Sequence, residues 1–294
     1  MKILVIGGTR LVGRHIVQTA LDRGHDVTTF NRGQSDPGAF PDATRLTGDR
    51  DGDLAALASG EWDATIDVCA YVPRQVRNLL EMLGTRAGHY TFISTVSVYG
   101  PDVVDSGFTE ATALLEPAWD DVLEMEKYGE LKVACEQVAQ ELTGDRLLIV
   151  RPGYVIGPYD HTERFTHWVR AVAAGEPITA PAAEQPLQCI DGRDLAAFTV
   201  GCVERGVTDT FNVTAPQAPP TFAEVLATIA LGLGVELPDV HWADPSDESD
   251  ELPLSAPPQW WPKMRASLSK ATAEGLRWRP LEDTVRDTAA AIGL

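Results

Sequence analysis

The chain of 294 residues contains no apolar run approaching the roughly 18 residues that a membrane span requires. Met1 leads directly into a strand-like segment with no leader pattern, so a soluble, unexported, cytoplasmic protein is expected. Basic residues are scarce: 24 Lys and Arg stand against 43 Asp and Glu, a formal charge of −19. Gripping phosphates non-specifically needs a surplus of Lys and Arg, so neither nucleic acid nor an anionic membrane surface is an expected partner. Cysteine is sparse as well. Cys69, Cys135, Cys189 and Cys202 are scattered without a CxxC pair, which argues against a zinc site or a disulfide framework, and no metal is expected. What is present, 44% hydrophobic and 23% charged residues, is an ordinary globular mixture, long enough for one large domain or two unequal ones.

Through residue 150, short β-branched runs alternate with helical stretches. Strands are predicted at 2–6, 26–30, 44–47, 64–68, 89–94 and 146–150, with helices at 11–22, 54–58, 74–83 and 123–142. Alternation at this spacing means βαβ units, hence an α/β fold with a mostly parallel sheet covered on both faces. After Arg151 Pro and Gly become frequent, and two short helices are predicted near 267–274 and 281–292. The stretch 238–262 combines prolines and acids with Trp242, Trp260 and Trp261. A pure linker rarely carries three indoles, so these rings are expected to pack against a partner surface, a neighbouring domain or a substrate cleft.

Four short motifs carry chemistry. Gly7-Gly8-Thr9-Arg10-Leu11-Val12-Gly13 joins the first strand to the first helix, where glycines permit a tight turn and helix N–H groups meet a pyrophosphate. It lacks the middle glycine of the usual fingerprint, so its position at the first βα turn carries the reading. At the end of the second strand, where an NAD-binding protein places an acid for the ribose, stand Phe30-Asn31-Arg32-Gly33. Arg32 and Arg10 without an acid favour NADP(H), because a guanidinium pairs with a 2′-phosphate and a carboxylate repels it; the bland alternative is two solvated charges. In Tyr128-Gly129-Glu130-Leu131-Lys132 the Tyr and Lys share a helical face, which allows the ammonium to lower the phenol's pKa. Finally, Ser94, Thr95 and Ser97 lie at the carboxyl end of the fifth strand, where open α/β sheets bind ligands, although turn hydrogen bonds explain any single hydroxyl there.

In order, these motifs resemble the extended short-chain dehydrogenase/reductase superfamily, the NAD-dependent epimerase/dehydratase family. Arg151-Pro152-Gly153-Tyr154, Ile190-Asp191-Gly192-Arg193-Asp194-Leu195-Ala196, Phe211-Asn212-Val213 and Gly275-Leu276-Arg277-Trp278 extend the resemblance over almost the whole chain. It implies a Rossmann-type doubly wound parallel sheet with a smaller C-terminal substrate-binding domain, divided as 1–152 with 188–213 and 153–187 with 214–294. The family's catalytic hydroxyl, tyrosine and lysine fall on Thr95, Tyr128 and Lys132, and imply hydride transfer with Tyr128 as general acid/base and Lys132 holding the cofactor ribose. By the same resemblance Gly7, Thr9, Arg10, Leu11, Val12, Gly13, Asn31, Arg32 and Gly33 hold the cofactor, and Asp49 and Arg50 flank the adenine. Cys69 and Ala70 pass beneath the cofactor, Pro152 and Val155 border the nicotinamide, and Ser97, Tyr154 and Trp260 face the substrate.

Departures from the family narrow the reaction. The Asp-Glu pair of dTDP-glucose-type dehydratases is Val96-Ser97 here, which excludes that elimination. The asparagine and arginine with which epimerases of this family grip a nucleotide diphosphate are Tyr154 and Leu187, unless Arg164, Arg170 or Arg193 takes over. With no evident basic cluster in the C-terminal part, the expected activity is an NADP(H)-dependent reductase or dehydrogenase of a small, not strongly anionic molecule. Nucleotide-sugar epimerisation with bound NAD(P) is the alternative, and a non-catalytic NADP-sensing or RNA-binding relative, suggested by the GGTR turn, is a third reading. The apolar face around Leu131 and Val138 permits a homodimer through the long helices, as in members of the superfamily, without requiring one. His161, His167, Asp160 and Glu163 read as surface residues.

Overall fold

The computed structural model describes residues 1–36, 38–100, 103, 107–244 and 252–294. Residues 245–251 of the Trp-bearing stretch 238–262 lie outside the described residues, as do Pro101, Asp102 and 104–106.

The first strand, β1 (Lys2–Ile6), is apolar and buried from Ile3 onward, as a strand covered on both faces must be. It is followed by α1 (Leu11–Asp22), β2 (Asp26–Asn31), β3 (Thr44–Thr47), β4 (Ala64–Asp67), α2 (Pro73–Leu83), β5 (His89–Ile93), α3 (Tyr128–Thr143) and β6 (Leu147–Pro152). The C-terminal part contains β7 (Tyr154–Ile156), α4 (Arg164–Ala174), β8 (Ile178–Ala180), β9 (Cys189–Asp191), α5 (Gly192–Glu204), β10 (Thr210–Val213), α6 (Phe222–Leu233), β11 (Val240–Trp242), α7 (Ser269–Ala273) and α8 (Leu281–Ala291). Seven strands pair in parallel in the order β10-β6-β5-β4-β1-β2-β3, a Rossmann-type sheet. Helices α1 and α5 pack together on one face and α2 and α3 on the other. The strand order reverses between β1 and β4, so the crevice at their carboxyl ends is the place for a ligand.

Beyond β6 the chain builds a second core from Phe165, Trp168, Phe222, Leu226, Ile229 and Val285, where α4, α6 and α8 meet. Helix α6 starts at a reciprocal cap: the Glu224 N–H donates to Thr221 Oγ1 at 3.2 Å and the Thr221 N–H to Glu224 Oε2 at 2.8 Å. Two small parallel pairs, β7 with β9 and β8 with β11, complete this part.

Three sequence expectations change. The helix predicted at 54–58 is only the 3-10 turn Ala55–Leu57. The helix predicted from 123 begins at Tyr128, after the 3-10 turn Met125–Lys127. Val122 and Met125 are 68% and 67% exposed, so that stretch has no buried face, and packing is what stabilises most protein helices. Leu131 and Val138, read as an apolar face open to pairing, are 0% and 1% exposed, covered within this chain.

Candidate active site

Two adjoining cavities, of about 640 and 740 Å³, run along the carboxyl edge of the sheet and share Leu11, Val12, Val68 and Tyr71 as common wall. Together they form one cleft.

The glycine-rich turn lines the first cavity. Gly7 and Gly8 have φ of 106° and 93°, a region that L side chains rarely adopt. At Gly13 any Cβ would stand 2.7 Å from the Gly8 amide nitrogen, so the first turn of α1 can lie against this loop only without a side chain. That cradle of bare backbone at a helix N-terminus fits a pyrophosphate. Asn31 braces it from β2: its Nδ2 donates to the Gly7 carbonyl at 3.1 Å, and its Oδ1 accepts from the Gly33 N–H at 2.9 Å. Thr9, Arg10, Arg32, Gly33, Asp49, Arg50 and Cys69 also line this cavity. Arg10 Nε donates to Ser35 Oγ at 3.3 Å, and Arg32 makes no ion pair among the described residues. The cavity's acids are engaged elsewhere, Asp51 with Arg74 and Gln75, and Asp49 with the Asp51 N–H. Among the described residues neither Arg10 nor Arg32 forms an ion pair with a carboxylate.

Two cofactor-side expectations differ in detail. Arg50 reaches the cavity wall, but its guanidinium is held internally by Asp67 at 2.7 and 2.9 Å and by the Gln75 carbonyl at 3.1 Å. Ala70 lines neither cavity; it is fully buried, and its carbonyl accepts from Lys132 Nζ at 2.9 Å.

The second cavity holds the Thr/Tyr/Lys set, with Ser97, Pro152, Tyr154, Val155 and Trp260 on its walls. Gly129 explains how Tyr128 comes to Thr95: a Cβ at 129 would strike the Ser97 carbonyl, so only glycine lets the start of α3 rest on the turn after β5. Thr95 Oγ1 accepts the Ser97 N–H at 3.1 Å and donates to Ser97 Oγ at 3.2 Å. Beneath this turn Glu136, 4% exposed, takes Ser94 Oγ at 2.5 Å and Arg151 Nε at 2.9 Å, tying α3 to the ends of β5 and β6. The strand end that presents Thr95 is thereby anchored on two neighbours.

The expected action of Lys132 on Tyr128 requires correction. Lys132 is 3% exposed, and its Nζ donates to the carbonyls of Ala70 at 2.9 Å and Ile93 at 2.7 Å. A shared helical face placed the two side chains together, but burial drew the ammonium to the backbone oxygens beneath it. Burial raises the phenol of Tyr128 above its ordinary value, against the opposing pull of the Thr95 hydroxyl and the Arg164 guanidinium. The ammonium itself is pushed down by desolvation. At neutral pH the phenol is therefore a proton donor.

Sequence reasoning missed Tyr71, whose ring lies 6.5 Å from that of Tyr128, and also Gln188, Thr214 and Lys263. Only Lys263 left a signal, as the lysine directly after Trp260-Trp261-Pro262. Trp260 lines the cavity, while Trp261 donates to the Ala256 carbonyl at 2.9 Å and Trp242 is 38% exposed on β11. Trp119 is 56% exposed and lines neither cavity. Leu187 is fully buried in the second core. Of the three arginines that could replace the missing diphosphate grip, Arg164 alone faces the cleft; Arg170 pairs with Glu163 and Arg193 with Asp191. His161, read as a surface residue, lines the first cavity near Arg10. Asp160 is 8% exposed and accepts from Thr162 and Phe165 at the start of α4, which aims Arg164 toward the cleft.

A parallel sheet in this strand order, a glycine cradle at its switch point and a Thr/Tyr/Lys set beside it define an enzyme of the extended short-chain dehydrogenase/reductase type. The family model of the NAD dependent epimerase/dehydratase family matches residues 3–214, and the chain belongs to that family. Among curated proteins it is 25% identical to the chloroplast stem-loop binding protein of 41 kDa b from Arabidopsis thaliana, over 97% of this chain and 76% of that protein. It is 28% identical to the 3-beta-hydroxysteroid dehydrogenase of Mycolicibacterium neoaurum, over 55% of this chain and 49% of that protein. The solved UDP-glucuronic acid 4-epimerase of Bacillus cereus, in complex with NAD, superposes with a TM-score of 0.74 at 18% identity, covering 100% of this chain and 99% of that one. That likeness establishes the shared fold.

Proposed function

We propose that this protein is an NADP(H)-dependent oxidoreductase that interconverts a carbonyl and an alcohol on a small organic substrate. One observation carries the reading: a Tyr128 phenol held in its protonated form, with the Thr95 hydroxyl beside it, opens onto a cavity continuous with a glycine cradle. Gly7, Gly8 and Gly13 would hold the dinucleotide, with Arg10 and Arg32 available for a 2′-phosphate. When bound there, a nicotinamide supplies hydride transfer. Thr95 orients the substrate oxygen and Tyr128 gives it a proton, so carbonyl reduction is the direction that the protonated phenol favours. Lys132 pins Ala70 and Ile93, and with them the floor of the site.

The steroid dehydrogenase relative supports a dehydrogenase, and the buried Leu187 speaks against a nucleotide diphosphate at the position where the family's epimerases grip one. The test is NADPH oxidation against a panel of ketones and aldehydes, with NADH in parallel. Stoichiometric consumption of NADPH, lost by a factor of about 10²–10⁴ in Tyr128→Phe, is the expected result. A cofactor that copurifies and is never consumed while a UDP-sugar inverts would establish the epimerase instead.

The name of the plant relative offers a second reading, binding of structured RNA. A charge of −19 weighs against it, because phosphate contacts need basic residues. A gel shift with a stem-loop RNA at physiological salt is expected to show no complex.

A further inference from the structure

We propose that Lys263 and Arg164 form a receptor for an oxyanion on the substrate, a carboxylate or a phosphate monoester, on the second cavity's wall. The proposal deepens the reading of that cavity as the substrate site, and it reverses the expectation of an uncharged substrate.

Lys263 is 9% exposed and lines the cavity, yet donates to no described residue; its only contact of note is the Trp260 ring, 4.0 Å from Nζ. An ammonium has three donors to satisfy, and an aromatic face substitutes poorly for acceptors in a desolvated place. Arg164 likewise has no carboxylate partner among the described residues; its guanidinium lies 5.9 Å from the Tyr154 ring. On the same cavity wall, Thr214 Oγ1 is buried with no hydrogen-bond partner. These are unspent donors around one space.

The rest of the lining is as informative. In a chain of charge −19, no described Asp or Glu lines this cavity; its charged residues are Lys132, Arg164 and Lys263. Lys132 is satisfied by two backbone carbonyls, which leaves the other two for a ligand. A neutral molecule filling the cavity would leave the buried Lys263 ammonium without an acceptor, whereas an oxyanion accepts from it, from the solvent-facing Arg164 and from Thr214. Its remaining atoms would meet Val96, Met125, Tyr154 and Met264.

Burial holds the Lys263 ammonium down to about 8, with Glu130 acting in the opposite direction. The charged and titratable groups around it are Glu130, Tyr128 and Lys132 on α3, Arg164 on α4, Tyr154 on β7 and Tyr71 ahead of α2. Below pH 8 the ammonium is charged and can hold the anion; above it the charge is lost, so affinity for an anion should fall between pH 7 and 9. A neutral ligand should show no such fall.

Isothermal titration calorimetry on the whole protein tests this, with benzoate, phenyl phosphate and benzyl alcohol as probes. Both anions should bind at least about tenfold more tightly than the alcohol, and the tighter of the two assigns the carboxylate or the phosphate. Lys263→Met, which keeps an apolar stem against Trp260, should lose about tenfold for the anions and nothing for the alcohol. Arg164→Gln, on an exposed side chain that puts folding at no risk, should show the same selectivity, and Lys263→Arg should restore anion binding and remove its decline toward pH 9. Equal affinity for alcohol and anions, or anion binding that persists in Lys263→Met and Arg164→Gln, would overturn the proposal; the latter would assign the anion to Arg10 and Arg32. Calorimetry needs no turnover, so a protein that reduces no carbonyl still reports on the receptor, and a competent reductase that prefers benzyl alcohol refutes the receptor alone.

Discussion

Replacing Glu136 with glutamine should destabilise the protein far more than a loss of one surface charge would. The Glu136 carboxylate accepts from Arg151 Nη2 at 2.5 Å, Arg151 Nε at 2.9 Å and Ser94 Oγ at 2.5 Å, and both partners of the ion pair are 5% exposed. An exposed pair would contribute about 0–1 kcal/mol, because solvent screens it. In a buried pair, removing one charge leaves the other stranded, which costs about 3–5 kcal/mol. Glutamine preserves the shape and one acceptor oxygen but turns an amide toward a guanidinium, so the expected loss lies in that range. The disturbance should spread, because Arg151 Nη1 also donates to Tyr99 Oη at 2.8 Å, and Tyr99 Oη donates to Asn212 Oδ1 on β10 at 2.8 Å. Urea unfolding followed by circular dichroism, extrapolated linearly to water, reads the change. Glu136→Leu combined with Arg151→Met removes both charges and should recover most of the loss, since an apolar pair of similar volume is often neutral or better. A Glu136→Gln protein within about 0.5 kcal/mol of the wild type, the range of an ordinary surface change, would refute the assignment of this pair as a desolvated brace.

Gly13→Ala would press a methyl group against the Gly8 backbone, so dinucleotide binding measured by calorimetry should weaken at least about tenfold and the melting temperature should fall as well. Arg32→Ala should lower affinity for NADPH and leave NADH unchanged; an equal loss for both would remove the 2′-phosphate assignment. Acid should unfold the protein through Asp191, which Arg193 and Thr284 hold well hydrogen-bonded and whose pKa in the folded chain lies below its usual 3.8. A depressed carboxyl pKa gives stability that is present above about pH 4 and lost as pH falls through the folded value, so Asp191→Asn should flatten the stability profile below about pH 4.

Local pattern carried much of this molecule. Alternating apolar runs and helical stretches were enough for the parallel sheet, because strand and helix periods are written residue by residue and short connections force neighbours together. The glycine turn was legible for the same reason: Gly7 and Gly8 need backbone conformations closed to other residues, and Gly13 needs the absence of a side chain. Thr95, Tyr128 and Lys132 were legible as a set, and they do line one cavity. Local pattern fell short where packing decides. The helix predicted at 123–142 forms only from Tyr128, because Val122 and Met125 lie exposed, and solvent exposure is a property of the whole fold.

Tertiary structure alone decided the charge state and company of the site. Spacing placed Lys132 beside Tyr128, but depth of burial turned its ammonium to the Ala70 and Ile93 carbonyls and pushed the phenol's pKa upward. Arg164 and Lys263 lie far apart in a chain whose acids outnumber its bases, and nothing in composition hints that both border a cavity with no described carboxylate. Periodicity, turns and glycine positions are short-range and can be read from order; desolvation and the meeting of distant charges depend on which surfaces the fold closes over them.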